Sequence, residues 1–165
     1  MRVLSRLGAA AMLLLLVGGG LLAADVATYR GAWFEVAYPA GFTAAPSLPS
    51  PTAPGADSAT FTAPDGSVSF YVYAPRWGGI PDDIALDPRT ETLDAERVIT
   101  AGPVMRRWFT IAARDGSYQR SYLTTTDDRG PTSRTIGLRY VSEDALARYE
   151  AEYLAFRESL RQFSD

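Results

Sequence analysis

Hydrophobic and polar positions follow two periods in this chain. Up to about residue 141 they alternate in short runs, the signature of strands with one buried face. From Ser142 onward they recur at steps of three and four, the signature of a helix. The first alternating run is "AWFEVAY", Ala32 to Tyr38, with Phe34, Val36 and Tyr38 set against Trp33, Glu35 and Ala37. "TAAPSLPSPTAPGAD" follows. Prolines 46, 49, 51 and 54 keep it out of a sheet interior, so it reads as an exposed loop.

"SATFTAPDGSVSFYVYAP" predicts a hairpin turning at Asp65-Gly66, because Gly tolerates the positive φ of a tight hairpin turn. That turn sets Phe61 opposite Phe70 and Ala63 opposite Val68, on one face with Val72. Thr60, Thr62, Ser69, Tyr71 and Tyr73 take the other face. "RWGGIPDDIALDP" reads as a loop and "ETLDAERVITAG" as a strand. "VMRRWFTIAARDGSYQRSYLTTT" predicts a second hairpin with its tip at Asp115-Gly116. It carries Met105, Phe109, Ile111 and Tyr122 on one side, Trp108 and Leu123 on the other. "TSRTIGLRYV" returns as the last strand.

In "SEDALARYEAEYLAFRESLRQF", Leu146, Tyr149, Tyr153, Phe156, Leu160 and Phe163 fall on one helix face. Ser142 is suited to the N-cap, and Glu143 and Asp144 complement the positive helix start. Arg161 is expected near the negative end, and Arg148 and Glu152 are spaced to interact on the outer face. Hairpins followed by a helix make an α+β domain: a twisted, mostly antiparallel sheet of about six to seven strands packed against a long C-terminal helix.

Ahead of this domain, Arg2 and Arg6 precede a run from Leu7 to Ala24 without charge, and small residues stand before Asp25. Residues 1–24 therefore read as a signal peptide, with an uncleaved anchor as the alternative. Either places a single domain, 25–165, outside the cytoplasm, periplasmic or secreted in a bacterium.

Composition removes whole classes of chemistry. The 165 residues are 47% hydrophobic and 21% charged, an ordinary globular balance. There is no Cys, His or Lys. That excludes disulfides, thiolate nucleophiles, His-based triads, the usual zinc sites and Schiff-base lysines. Beyond Arg2 and Arg6, 14 Arg face 19 acidic residues, a mildly acidic domain unsuited to nucleic acid or anionic lipid.

"FEVAYPAGF", "FTAPDGSVSFYVY" and "YLAFRESLRQF", in that order, resemble the PsbP-like superfamily. The resemblance implies a twisted antiparallel sheet with helices packed on it. It also implies a binding, accessory or immunity protein rather than an enzyme, and it carries over no functional-residue motif. One departure stands out. Members commonly have a helix between the first hairpin and the next strands, whereas "PDDIALDP" is too short and Pro-bound for one.

The candidate binding surface is Trp33, Tyr71, Tyr73, Arg76, Trp77 and Trp108, since Tyr and Trp combine contact area with a polar handle. The bland alternative packs these rings under loop 44–56 or loop 75–90, with Trp77 before Gly78-Gly79 as the residue left exposed. Asp82, Asp83 and Asp87, or Asp127 and Asp128, lack the spacing of an established calcium loop and read as turn residues. Glu35 is conceivable as a general acid but reads as an outward strand residue. Arg106, Arg107, Arg120, Arg134 and Arg139 suggest either an anion site or cross-strand pairing.

The sequence thus points to a non-enzymatic exported binding or accessory protein acting through an envelope protein partner, without catalytic, metal or cofactor residues. A small-ligand binder using the Tyr/Trp/Arg face is the alternative, and a carboxylate-based hydrolase ranks below both. A membrane enters only if the leader is uncleaved.

Overall fold

A computed structural model describes residues 25–130 and 132–163; the expected signal peptide, 1–24, lies outside the described residues. The strands are β1 (Val26–Arg30), β2 (Phe34–Pro39), β3 (Thr43–Pro46), β4 (Ser58–Thr62), β5 (Val68–Tyr73), β6 (Glu91–Ala101), β7 (Val104–Ala113), β8 (Gln119–Asp127), β9 (Thr132–Tyr140) and β10 (Arg161–Gln162). Helix α1 spans Glu143–Ser159, and a single 3-10 turn spans Asp82–Ile84.

Seven strands form one antiparallel sheet in the order β3-β4-β5-β9-β8-β7-β6, and β1-β2-β10 form a small second sheet. The α+β expectation and the strand count are met. The first hairpin has the expected register, Phe61 opposite Phe70, with Gly66 at φ 68° in its turn. The second hairpin also forms as expected, but the two hairpins do not pair with each other. The last strand, β9, inserts between them, meeting β5 on one side and β8 on the other.

One sheet face carries Phe61, Phe70, Val72, Ile136 and Leu138, and both the small sheet and α1 cover it. Phe156 of the helix sits in the middle, its ring 5.2 Å from both Phe61 and Phe70. Phe34 and Val36 of β2 close the layer with no exposed surface. The Ser142 hydroxyl caps the helix by accepting from Ala145 N at 3.1 Å. Arg148 bonds Asp65 in the hairpin turn at 2.9 Å rather than Glu152, tying the helix to the sheet.

Three sequence expectations need correction. The helix ends at Ser159, so Phe163 and Arg161 are not on it. The Ser159 hydroxyl donates to Phe156 O at 2.8 Å and accepts from Ala37 N at 2.9 Å, a side-chain bond that competes with helix continuation. Arg161 and Gln162 then pair with β2, and Phe163 N donates to Trp33 O at 2.8 Å. The Pro-rich segment is not wholly loop. Thr43–Pro46 forms edge strand β3, where the proline's missing donor is harmless. Finally, β1 precedes the run from Ala32 to Tyr38 that was read as the first strand.

The second sheet face is covered without a helix. Tyr71, Tyr73 and Tyr122 lie buried there beneath Ile84 of the segment between β5 and β6. Tyr71 and Tyr122 meet edge-on, centroids 5.6 Å apart, across Gly137 of β9, where any side chain would overlap the Tyr122 ring. The covering segment is held by a buried ion pair. Arg120 donates to Glu91 at 2.6 and 2.8 Å, and to the Ile84 and Ala85 carbonyls at 2.8 and 3.0 Å. Glu91 in turn accepts from Asp87 N and Tyr118 Oη.

Phe156→Ala opens a cavity between the helix and both sheets and is expected to cost about 3–5 kcal/mol, read from urea unfolding. The Glu91 carboxyl is held down at about 2, first by the Arg120 hydrogen bonds, against the burial that raises it. Its folded pKa lies below its unfolded value of about 4.3. The stabilisation is therefore full above that value and lost as pH falls toward about 2. Glu91→Gln should flatten the acid limb of unfolding free energy against pH in that window. At neutral pH it should destabilise by about 3–5 kcal/mol, since Arg120 stays buried without its counter-charge.

Candidate functional site

The six expected surface residues separate into three environments. Tyr71 is interior: it is 5% exposed, and its hydroxyl donates to Asp83 Oδ1 at 2.6 Å. Asp83 also accepts from Ser58 Oγ at 2.7 Å, so this carboxylate is spent anchoring the covering segment. Burial, then the bond to Asp83, push the Tyr71 hydroxyl pKa far up, which leaves it a neutral donor. Tyr73 is buried beside it with its hydroxyl against Gly79. These two rings pack with Tyr122 beneath Ile84 and Leu48.

Trp108 lies on the opposite face, paired across β8 with Leu123 and 36% exposed, remote from both tyrosines in register. The other three residues converge. Arg76, just past the end of β5, places its guanidinium 4.8 Å from the Trp33 ring centroid and 4.9 Å from that of Trp77. Trp33 comes from the turn between β1 and β2, and its indole N–H donates to Thr52 Oγ1 at 2.9 Å. Trp77 is 52% exposed and forms the outer wall.

The loop that carries Trp77 continues to Ile80, 84% exposed, and then over an apolar cleft of about 380 Å³. The cleft lies between residues 79–86 and the outer half of the second sheet face. Leu86, Leu93, Met105, Phe109 and Ile111 supply most of its apolar wall. Sequence reading passed over Ile80 and Leu86. The available signal was apolar residues within an otherwise polar, Pro-bound loop, which becomes meaningful only when the loop is seen to lie on the sheet.

A second cleft, about 480 Å³, is polar and contains Asp83, Asp87, Glu91, Arg120 and Arg139. Its acids are occupied. Glu91 pairs with Arg120, Asp83 holds two hydroxyls, and Asp87 bonds Arg89, which keeps its carboxyl below the usual range. None of these is poised as a general acid. Asp57 does have a raised pKa, through burial, yet it is sealed at 6% exposure. Among the described residues no group of three or more acidic side chains is arranged to hold a metal. Asp127, from the other candidate pair, bonds Arg129 at 2.7 Å.

The five arginines do not make one site. Arg120 is buried, Arg107 bonds Glu96 at 2.6 Å over the Phe109 ring, and Arg139 stacks 4.2 Å from Tyr118. Arg106 and Arg134 stand exposed on the face that carries Trp108. Glu35 is an outward residue of β2, opposite Arg30 and Arg161.

No family model and no curated protein matches this chain. In fold it is similar to the solution structure of cyanobacterial PsbP (CyanoP) from Synechocystis sp. PCC 6803. That similarity has 14% identity and a TM-score of 0.49, over 88% of this chain and 96% of that one. It is also similar to the crystal structure of the Saccharomyces cerevisiae Ran-binding protein Mog1p, with 10% identity and a TM-score of 0.43, over 86% and 96%.

Proposed function

We propose that this chain is an exported, non-enzymatic accessory protein of the bacterial envelope that binds a protein partner through the surface around Trp77. The exposed, stacked Trp77 carries the proposal. A half-exposed Trp held in one orientation by a cation is a preorganised anchor of the kind that dominates protein interfaces. Ile80, on the same loop, extends this surface toward the apolar cleft. The engaged acids of the polar cleft support the non-enzymatic part of the reading, and the uncharged run from Leu7 to Ala24 supports export.

A second reading, a small apolar ligand, rests on the 380 Å³ cleft, whose size and lining suit such a molecule. A thermal-shift panel of apolar metabolites separates it from the first: stabilisation that Met105→Asp abolishes would move the function into the cleft.

Crosslinking in the native envelope tests the first reading. Trp77→Ala removes a half-exposed ring and should lower the unfolding free energy by no more than about 1 kcal/mol, the size of an exposed cation–π contact. The same substitution should abolish the crosslinked partner band or reduce it at least tenfold. An undiminished band, at equal protein level, sinks the proposal.

A further inference from the structure

The Trp33–Arg76–Trp77 stack leaves its cation with hydrogen-bonding capacity unspent. Its Cζ lies over the Trp33 ring at 4.8 Å and over the Trp77 ring at 4.9 Å, so two indoles share one cation. Arg76 has no hydrogen bond and no carboxylate within 4 Å among the described residues. Its Nε is buried without a partner, an arrangement that costs stability because the N–H is withdrawn from water and given nothing in return. Among the described residues the two Nη groups have no hydrogen-bond partner either, and Arg76 as a whole is only partly buried.

The contrast with the other arginines is informative. Arg89, Arg107, Arg120, Arg129 and Arg148 each have a carboxylate partner. Among the described arginines without a carboxylate partner, Arg76 differs in that its Nε is also buried with no hydrogen-bond partner. One wall of the stack is fixed by the Trp33 bond to Thr52, and the other, Trp77, faces outward.

We propose that Arg76 is a recognition site for a carboxylate, carried by an Asp or Glu side chain of the protein partner, which binds the guanidinium Nη groups beside the two indoles. A guanidinium presents parallel N–H groups that match the two oxygens of a carboxylate, and stacking holds that fork in place before binding. The flanking indoles select an acid set among apolar neighbours, which would lie along Trp77 and Ile80. This assignment rests on the reading that Trp77 marks a protein interface.

The test uses the purified protein and two blocked peptides, acetyl-Leu-Glu-Leu-amide and its Gln counterpart, followed by ¹H–¹⁵N NMR. The three indole N–H signals are assigned by Trp→Phe variants, and the Arg76 Nε–H signal by Arg76→Lys. The Glu peptide should shift the Trp33, Trp77 and Arg76 signals saturably and leave Trp108 in place. The Gln peptide should bind at least tenfold more weakly. Equal responses to both peptides, or no movement of the Arg76 signal, overturn the assignment without reliance on any variant's folding. Asp165→Asn examines that side chain as an internal source of the carboxylate: an Arg76 signal that moves on this substitution overturns the assignment to a partner. In the envelope crosslinking assay, a band lost with Trp77→Ala but kept with Arg76→Gln refutes the carboxylate site and leaves the interface reading standing. A band kept with both refutes the interface reading itself.

Discussion

A guanidinium buried beneath a loop organises the second face of this sheet. Arg120 satisfies Glu91 and two carbonyls of the segment that crosses above it, and so converts an irregular stretch of chain into a lid. A helix could have covered the same three tyrosines with its own backbone bonds already satisfied. Without one, the carbonyls of Ile84 and Ala85 need donors from below, and only a long, permanently charged side chain reaches both. Glu91 is the necessary consequence, since Arg120 buried alone would carry an uncompensated charge.

The two faces differ in how they are built and hence in what they can offer. The helix side is a continuous aromatic and aliphatic core, from Phe34 through Phe61 and Phe70 to Phe156, with Arg106, Trp108 and Arg134 exposed at its far end. The lid side is only partly filled. Its inner half seals Tyr71 and Tyr73, while its outer half leaves an apolar cleft open beside the exposed end of the loop. The Trp33–Arg76–Trp77 cluster joins the two sides, because Trp33 lies in the turn between the small sheet's β1 and β2 and Trp77 in the loop that becomes the lid.

Much of the domain was legible in its residues. Alternation about Asp65-Gly66 defined the first hairpin's register, and the three-four stripe located the helix and its buried Phe156. Tyr71 and Tyr73 were placed on the correct face, with packing and binding both open. The polarity of that face offered no way to see Arg120 beneath the lid, since a buried, paired Arg and a solvated one look alike in sequence. The grouping of Trp33 with Arg76 and Trp77, and the separation of Trp108 from them, likewise depended on strand order.

Local sequence determined the elements whose causes are local: turn glycines, capping by Ser142, the period of each apolar run, and the absence of Cys, His and Lys that narrows the chemistry. Tertiary structure alone decided where β9 inserts, where the helix stops, and which aromatic rings meet. Each of those outcomes turns on partners far apart in the chain. Ser159 meets Ala37, Gln162 meets Phe34, and Arg76 meets Trp33. Hydrophobic periodicity says which face of an element seeks burial, but it carries no information on which distant element arrives to bury it.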